Sequence, residues 1–283
     1  MRNIQYYPNR KVEVKCGNHT LHLGSKTYIM GILNVTPDSF SDGGSYVDIE
    51  KAVIHAKKMV AEGADIIDVG GESTRPGAQE VTGEEELKRV LPVVERLANE
   101  IDVPISVDTY KADVAEKVLE AGAHMINDVW GLQREPQIAH VIAKYDVPVV
   151  IMHNQIGTEY DKDIVEAVAD FLKQSIDIAK KAGIKDENII LDPGIGFGKT
   201  PEQNIHVMAR LGELNALGYP ILLGTSRKSM IGKILDLPPE KRVEGTLATS
   251  VMGIIQGVDI LRVHDIVENL RTVMVTDAIV RVK

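Results

Sequence analysis

The chain has one cysteine, Cys16, one tryptophan and three phenylalanines in 283 residues. A lone thiol excludes an internal disulfide and points to a reducing compartment. Met1 to Arg10 lacks the apolar stretch of a signal peptide, so the expected location is the cytoplasm. No uninterrupted apolar run is long enough to span a bilayer, which argues against a membrane partner. Positive charge is scarce as well: a net charge of −9 with no offsetting basic stretch argues against nucleic acid. Neither His-x-His nor a His/Cys cluster at zinc spacing is present, so a catalytic zinc held by the protein is not expected. What the chain does have is 44% apolar residues and no low-complexity segment, enough for one large α/β domain or two small ones.

Residues 1–27 read as short alternating segments, Val12 to Lys15 and Thr20 to Leu23 among them, that suggest a hairpin-like lead-in. From Tyr28 a strand pattern followed by a helix pattern recurs eight times. The strands are expected at 28–34, 65–69, 104–108, 124–128, 147–152, 188–192, 220–224 and 259–263. Helical stripes are expected at 48–62, 84–99, 111–121, 136–145, 163–182, 201–217, 242–257 and 266–280. Gly63, Gly122, Gly183 and Gly218 stand where left-handed helix caps would precede the next strand. Eight alternations with no second lead-in predict a single (β/α)8 barrel domain over 28–283, with a doubly wound open sheet as the alternative.

The most informative stretch runs from Asn188 to Thr200. Ile189, Ile190 and Leu191 form an unbroken apolar strand, Asp192 ends it, and glycines follow at 194, 196 and 198. Thr200, Pro201 and Gln203 then carry the signature of a capped helix start. The stretch is not a phosphate-binding P-loop, because the position that needs the first glycine is Pro193. Nor is it a dinucleotide fingerprint, whose third glycine would fall on Lys199. A carboxylate at the end of a buried strand requires hydrogen-bond partners. The glycine loop leaves room for a ligand to supply them.

Barrel enzymes assemble their sites at the carboxyl ends of the strands. Here those ends carry Asn34, Asp68 with Glu72, Asp108, Asn127 with Asp128, His153, Asp192, Ser226 to Lys228, and Arg262 to His264. The opposite rim carries Gly, Ala, Pro and scattered charges. Asp108, Asn127 and Asp192 together suit a planar heterocycle with adjacent ring N–H and amino donors, since one carboxylate can accept two parallel bonds. Taken singly, each would be an ordinary turn residue. Arg75, Lys228, Arg262 and His264 are cations at the same rim and suit a phosphate-bearing ligand. Lys228 as a Schiff-base nucleophile is the alternative, although nothing in the sequence depresses its pKa. A magnesium ion carried on a substrate phosphate needs only one or two protein oxygens, and Asn34 offers one.

Six segments carry a resemblance to the dihydropteroate synthase family. They are Met30 to Gly44, Asp68 to Gly77, Ile126 to Val129, Asp192 to Lys199, Gly224 to Ser229, and Arg262 to Asp265. The resemblance spans Tyr28 to Asp265 and implies condensation of (7,8-dihydropterin-6-yl)methyl diphosphate with p-aminobenzoate, with release of pyrophosphate. It implies that Asp108, Asn127, Met152, Asp192, Phe197 and Lys228 hold the pterin. Thr74, Arg75, Arg262 and His264 would meet the diphosphate, Asn34 its Mg2+, and Phe40, Pro76 and Ser229 the amine. Catalysis would rest on Asp108, Lys228 and Arg75, by departure of pyrophosphate before the arylamine attacks. A corrinoid methyltransferase and a pterin-binding protein without turnover are the rival readings. The near absence of large polar side chains over 245–257, Gln256 apart, favours a homodimer.

Overall fold

The computed structural model describes residues 11–36, 46–73 and 80–281. Two short strands, β1 (Val12–Cys16) and β2 (His19–Leu23), form an antiparallel hairpin. Eight parallel strands follow: β3 (Tyr28–Asn34), β4 (Ile66–Gly70), β5 (Ile105–Asp108), β6 (Met125–Asp128), β7 (Val149–Met152), β8 (Ile189–Asp192), β9 (Leu222–Leu223) and β10 (Ile260–Val263). Their spatial order is β8-β7-β6-β5-β4-β3-β10-β9. A parallel bridge between Leu191 and Ile221 joins the two ends, so the sheet closes into a (β/α)8 barrel.

The outer layer consists of α1 (Tyr46–Ala61), α2 (Gly83–Glu100), α3 (Ala112–Glu120), α4 (Gln137–Tyr145), α5 (Ile164–Ala182), α6 (Pro201–Ala209), α7 (Ser229–Leu235), α8 (Val243–Ile255) and α9 (Ile266–Val280). The glycines expected to end helices adopt left-handed backbone, with φ of +101° at Gly63, +106° at Gly122, +97° at Gly183 and +95° at Gly218. One expected helix is divided. The stretch 201–217 is α-helical only to Ala209 and continues as a 3-10 turn over Leu211–Leu217. Gly212 favours the break, and its N–H donates to Gln256 Oε1 at 3.1 Å instead of continuing the helix. Helix α7, only seven residues long, is too short to show a periodic stripe and was not expected.

Alternation along the strands sorts the barrel interior into layers. Met30, Ile66, Met125, Val150, Ile190, Leu222 and Ile260 form a dry lower layer. Val14, Cys16, Leu21 and Leu23 of the hairpin pack against it and plug the lower end. Burial there pushes the Cys16 thiol up to about 12. Two residues further along each strand, the same inward direction is taken by Asp68, Asn127, Met152, Asp192, Gly224 and Arg262. An apolar floor therefore lies beneath a polar layer at the carboxyl ends.

Candidate active site

Asp68 is fully buried at the centre of this polar layer. Arg262 Nε donates to its Oδ2 at 2.6 Å, and Asn127 Nδ2 donates to the same oxygen at 3.1 Å. Arg262 also donates through Nη2 to Asp108 Oδ2 at 2.8 Å. One guanidinium thus bridges carboxylates from β4 and β5, and Arg262 reaches into the barrel instead of lying only along its rim. Burial pushes the Asp108 carboxyl up to about 7, against the downward pull of Arg262 and with the help of neighbouring acids. Gly70 keeps the mouth open beside it: a Cβ there would lie 3.8 Å from Asn34 Oδ1 and 3.9 Å from Asp108 Oδ2.

Opposite, Asp192 accepts the Gly194 N–H through Oδ1 at 2.7 Å. Burial raises its pKa, opposed chiefly by Lys228. The glycine loop after it is demanded by space as well as by dihedral. Gly194 has φ +67°, and a side chain there would overlap the His153 carbonyl oxygen. Gly196, at φ +86°, leaves its Cβ position to the Lys228 stem, 2.8 Å from Cδ. The capping box read from the sequence is present, with Thr200 N–H on Gln203 Oε1 at 2.7 Å and Gln203 N–H on Thr200 Oγ1 at 3.2 Å.

Lys228 donates to the Ile195 carbonyl, and its Nζ lies 4.3 Å from the Phe197 ring centroid. Burial lowers its pKa to about 8, with the Asp192 charge opposing. Met152 and Phe197 belong to a small apolar cluster with Tyr110, Val129 and Trp130. At Gly224 the absence of a side chain leaves open the space between Arg262 Cβ and Asp192 Oδ2, each 3.9 Å from where a Cβ would stand. These features line a slot with acceptors on both walls, a cation, and apolar surface.

His264 lies above Arg262 on the same strand face and meets Ser226, with Nδ1 2.9 Å from the hydroxyl oxygen. Ser229 is exposed at the start of α7. The structure therefore brings Asn34, Asp108, Asn127, Met152, Asp192, Phe197, Lys228, Ser229, Arg262 and His264 to one end of the barrel. Phe40, Thr74, Arg75 and Pro76 lie outside the described residues. The sequence reading noted Asp68 at a strand end but gave it no role. The period-2 spacing from Ile66 through Asp68 to Gly70 was the available signal for its inward direction. Among the described residues no group of three or more His, Cys, Asp or Glu is placed to hold a metal ion.

The model of a pterin binding enzyme matches residues 30–264. The chain belongs to this pterin binding enzyme family. A dihydropteroate synthase of Clostridium beijerinckii is 58% identical over 269 residues, which is 95% of this chain and 100% of that protein. The structure of a Xanthomonas albilineans dihydropteroate synthase with 4-aminobenzoic acid is 42% identical, with a TM-score of 0.92 over 97% of this chain and 100% of that one. The same enzyme in complex with 7,8-dihydropteroate matches 96% of this chain and 100% of its own, at 42% identity and a TM-score of 0.88.

The electrostatics of Asp108 yield a measurable consequence. Its folded-state pKa lies above its unfolded value, so the group favours the fold at low pH and that contribution is lost as pH rises through about 7. Asp128, Lys199 and Lys228 titrate in the same region, so the difference between variant and parent is the useful quantity. Asp108→Asn is expected to gain about 1 kcal/mol relative to the parent between pH 6 and pH 8. Thermal unfolding of both proteins across that range checks this, and a pH-independent difference would contradict it.

Proposed function

We propose that the chain acts as a dihydropteroate synthase, transferring the pterinylmethyl group of a dihydropterin diphosphate to p-aminobenzoate with release of pyrophosphate. The observation that carries this is the opposed pair of buried carboxylates, Asp108 and Asp192, with Lys228 and Arg262 between them above a dry floor. Asp192 presents Oδ2 to a ring N–H and amino edge while Gly194 fixes its Oδ1. Asn127 and Lys228 add hydrogen-bond partners, and Met152 and Phe197 supply flat apolar contact. Asp108 faces the site where positive charge would develop at the methylene as pyrophosphate departs, and its carboxylate stabilises that charge.

Arg262 uses Nε and Nη2 on the two carboxylates. Its remaining N–H donors and His264 are assigned to the diphosphate. Arg75 and Thr74 join them on the strength of the sequence motif, as Phe40, Pro76 and Ser229 do for the amine. Asn34 fits a magnesium ion that arrives on the diphosphate, because its Oδ1 faces the mouth beside Asp108 and such an ion needs few protein ligands. When bound, that ion would neutralise charge on the leaving group.

The deciding experiment mixes protein, dihydropterin diphosphate, p-aminobenzoate and magnesium and follows pyrophosphate. Release that depends on p-aminobenzoate is expected. No release would leave a binding protein, and release indifferent to the amine would mean another acceptor. A methyl donor carries no diphosphate, so a corrinoid methyltransferase would leave Arg262 and His264 without an anion to meet.

We further propose that the working form is a homodimer. Helices α8 and α9 pack together and leave Met252, Met274, Val275 and Ile279 at 42%, 64%, 63% and 69% exposure. Within the single chain, Thr246, Ser250, Gly253 and Ile254 of α8 face the core while Met252 faces out. A second copy is the occupant of this apolar face that the proposal names. Light scattering should give twice the chain mass, and Ile279→Glu with Met274→Glu should give one. A monodisperse parent monomer would refute the dimer.

A further inference from the structure

Lys199 ends the glycine loop and is 8% exposed, yet among the described residues no carboxylate bonds to it. Its Nζ instead meets three acceptors: His153 Nδ1 at 2.7 Å, the Gly194 carbonyl at 2.9 Å and the Phe197 carbonyl at 3.0 Å. An ammonium has three N–H donors and no acceptor, so three acceptors satisfy it fully. The His153 ring offers a lone pair because burial, with Lys199 beside it, holds its pKa down to about 3. Burial also lowers the Lys199 pKa, to about 7, with Asp192 opposing. The tripod of acceptors is the arrangement that satisfies the charged form.

The two carbonyls are not arbitrary points on the loop. Gly194 is the residue whose N–H fixes Asp192 Oδ1, and Phe197 carries the ring beneath Lys228. The Phe197 N–H also donates to the Gly194 carbonyl at 3.1 Å. Lys199 therefore ties together the two ends of the segment that forms one wall of the slot. The third acceptor, on His153 just beyond β7, anchors that segment to a neighbouring strand. From the other side Asn204 Oδ1 accepts the Gly196 N–H at 2.7 Å. The loop carries three glycines with positive φ and would sample many conformations without such ties.

We propose that Lys199 is a positioning residue for pterin recognition: it touches no substrate and holds the Asp192–Phe197 wall in its binding shape by clamping the Gly194 and Phe197 carbonyls against His153. This rests on the reading of the slot as a pterin site. The clamp has its own consequence in the ligand-free protein, because the loop amides of Gly194, Gly196 and Phe197 should be protected from hydrogen exchange only while it is in place.

The test compares the parent with Lys199→Met and with Lys199→Gln, a polar variant that folds if methionine does not. Hydrogen exchange on ligand-free protein should speed up by roughly tenfold or more at Gly194, Gly196 and Phe197, with Ile190 and Leu191 of β8 unchanged. Calorimetry with 6-hydroxymethylpterin should show affinity falling by roughly tenfold. In turnover assays the KM for the pterin diphosphate should rise while kcat at saturation stays within about threefold. His153→Asn, which restores an acceptor, should retain most of the parent's pterin affinity. Exchange confined to the parent's pattern in both variants would overturn the clamp. So would accelerated exchange throughout β8, which would mark Lys199 as a fold residue. If the parent itself binds no pterin, the pterin reading fails while the exchange data still decide the clamp.

Discussion

Arg262→Met should lower the Tm of the ligand-free protein by on the order of 10 °C at pH 8, the largest stability change expected of any single rim residue. Two carboxylates depend on this guanidinium, Asp68 at 2.6 Å and Asp108 at 2.8 Å. Asp68 is wholly buried, and its Oδ1 has no partner among the described residues. Removing one member of a buried ion pair typically costs about 3–5 kcal/mol, because it strands the other charge in a poor solvent. Here a single cation serves two acids. The neutral Asn127 amide that remains on Asp68 cannot replace it.

The deficit should also vary with pH. With Arg262 present the Asp108 carboxyl is already held up at about 7 by burial. Loss of the cation removes the main force pulling it down, so it rises further. A carboxyl with a raised folded-state pKa disfavours the fold increasingly as pH climbs through that pKa. The gap between variant and parent should therefore be widest at pH 8 and narrow towards pH 5, where the acid is neutral in both. Melting curves at the two pH values read this directly. A deficit of equal size at both would mean that ionisation of Asp108 does not contribute, leaving the lost packing of the Arg262 stem and the lost partner of Asp68 as its cause. Binding of a bare pterin should weaken too, since Arg262 orders Asp108.

The barrel was legible because its signals are local and repeated. Unbroken apolar runs such as Ile189 to Leu191, helix-ending glycines and the Thr200 capping box each have a local physical cause, and each appears where the sequence implied. Period-2 alternation, which separates the dry floor from the polar layer above it, became informative only once the strands were paired into the barrel. What escaped were relations between distant residues. Nothing in the order of residues tells that Arg262 bridges Asp68 and Asp108, which are 194 and 154 positions away. Asp68 read as one strand-end acid among several, and only closure of the barrel makes it the centre. The Lys199 tripod was hidden for a similar reason: two of its three acceptors are backbone carbonyls, which carry no sequence signature. The split of 201–217 had one local hint, Gly212, but the Gln256 side chain that takes its N–H comes from the far end of α8.

Asp192→Asn should weaken pterin binding by one to two decades while leaving the ligand-free fold nearly as stable as the parent. Asp192 Oδ1 is committed to the Gly194 N–H at 2.7 Å. The asparagine oxygen will keep that bond, since the alternative sets an NH2 against a backbone donor. The amide nitrogen must then stand where Oδ2 stood, facing the open space above Gly224. A ring N–H and amino edge arriving there meets a donor instead of a charged acceptor. Loss of a hydrogen bond to a charged group costs about 1.5–3 kcal/mol, which is roughly 10- to 100-fold in affinity. The fold should tolerate the change because burial already raises the pKa of this acid, so its ionised form is an expense the empty protein does not need. At saturating substrate, turnover should change less than affinity, since Asp192 grips the far edge of the heterocycle and Asp108 faces the reacting methylene. Calorimetry with a bare pterin, run beside thermal melts, separates the two effects. Unchanged affinity would remove Asp192 from the pterin wall. A parallel collapse in Tm would instead make it a residue of the fold.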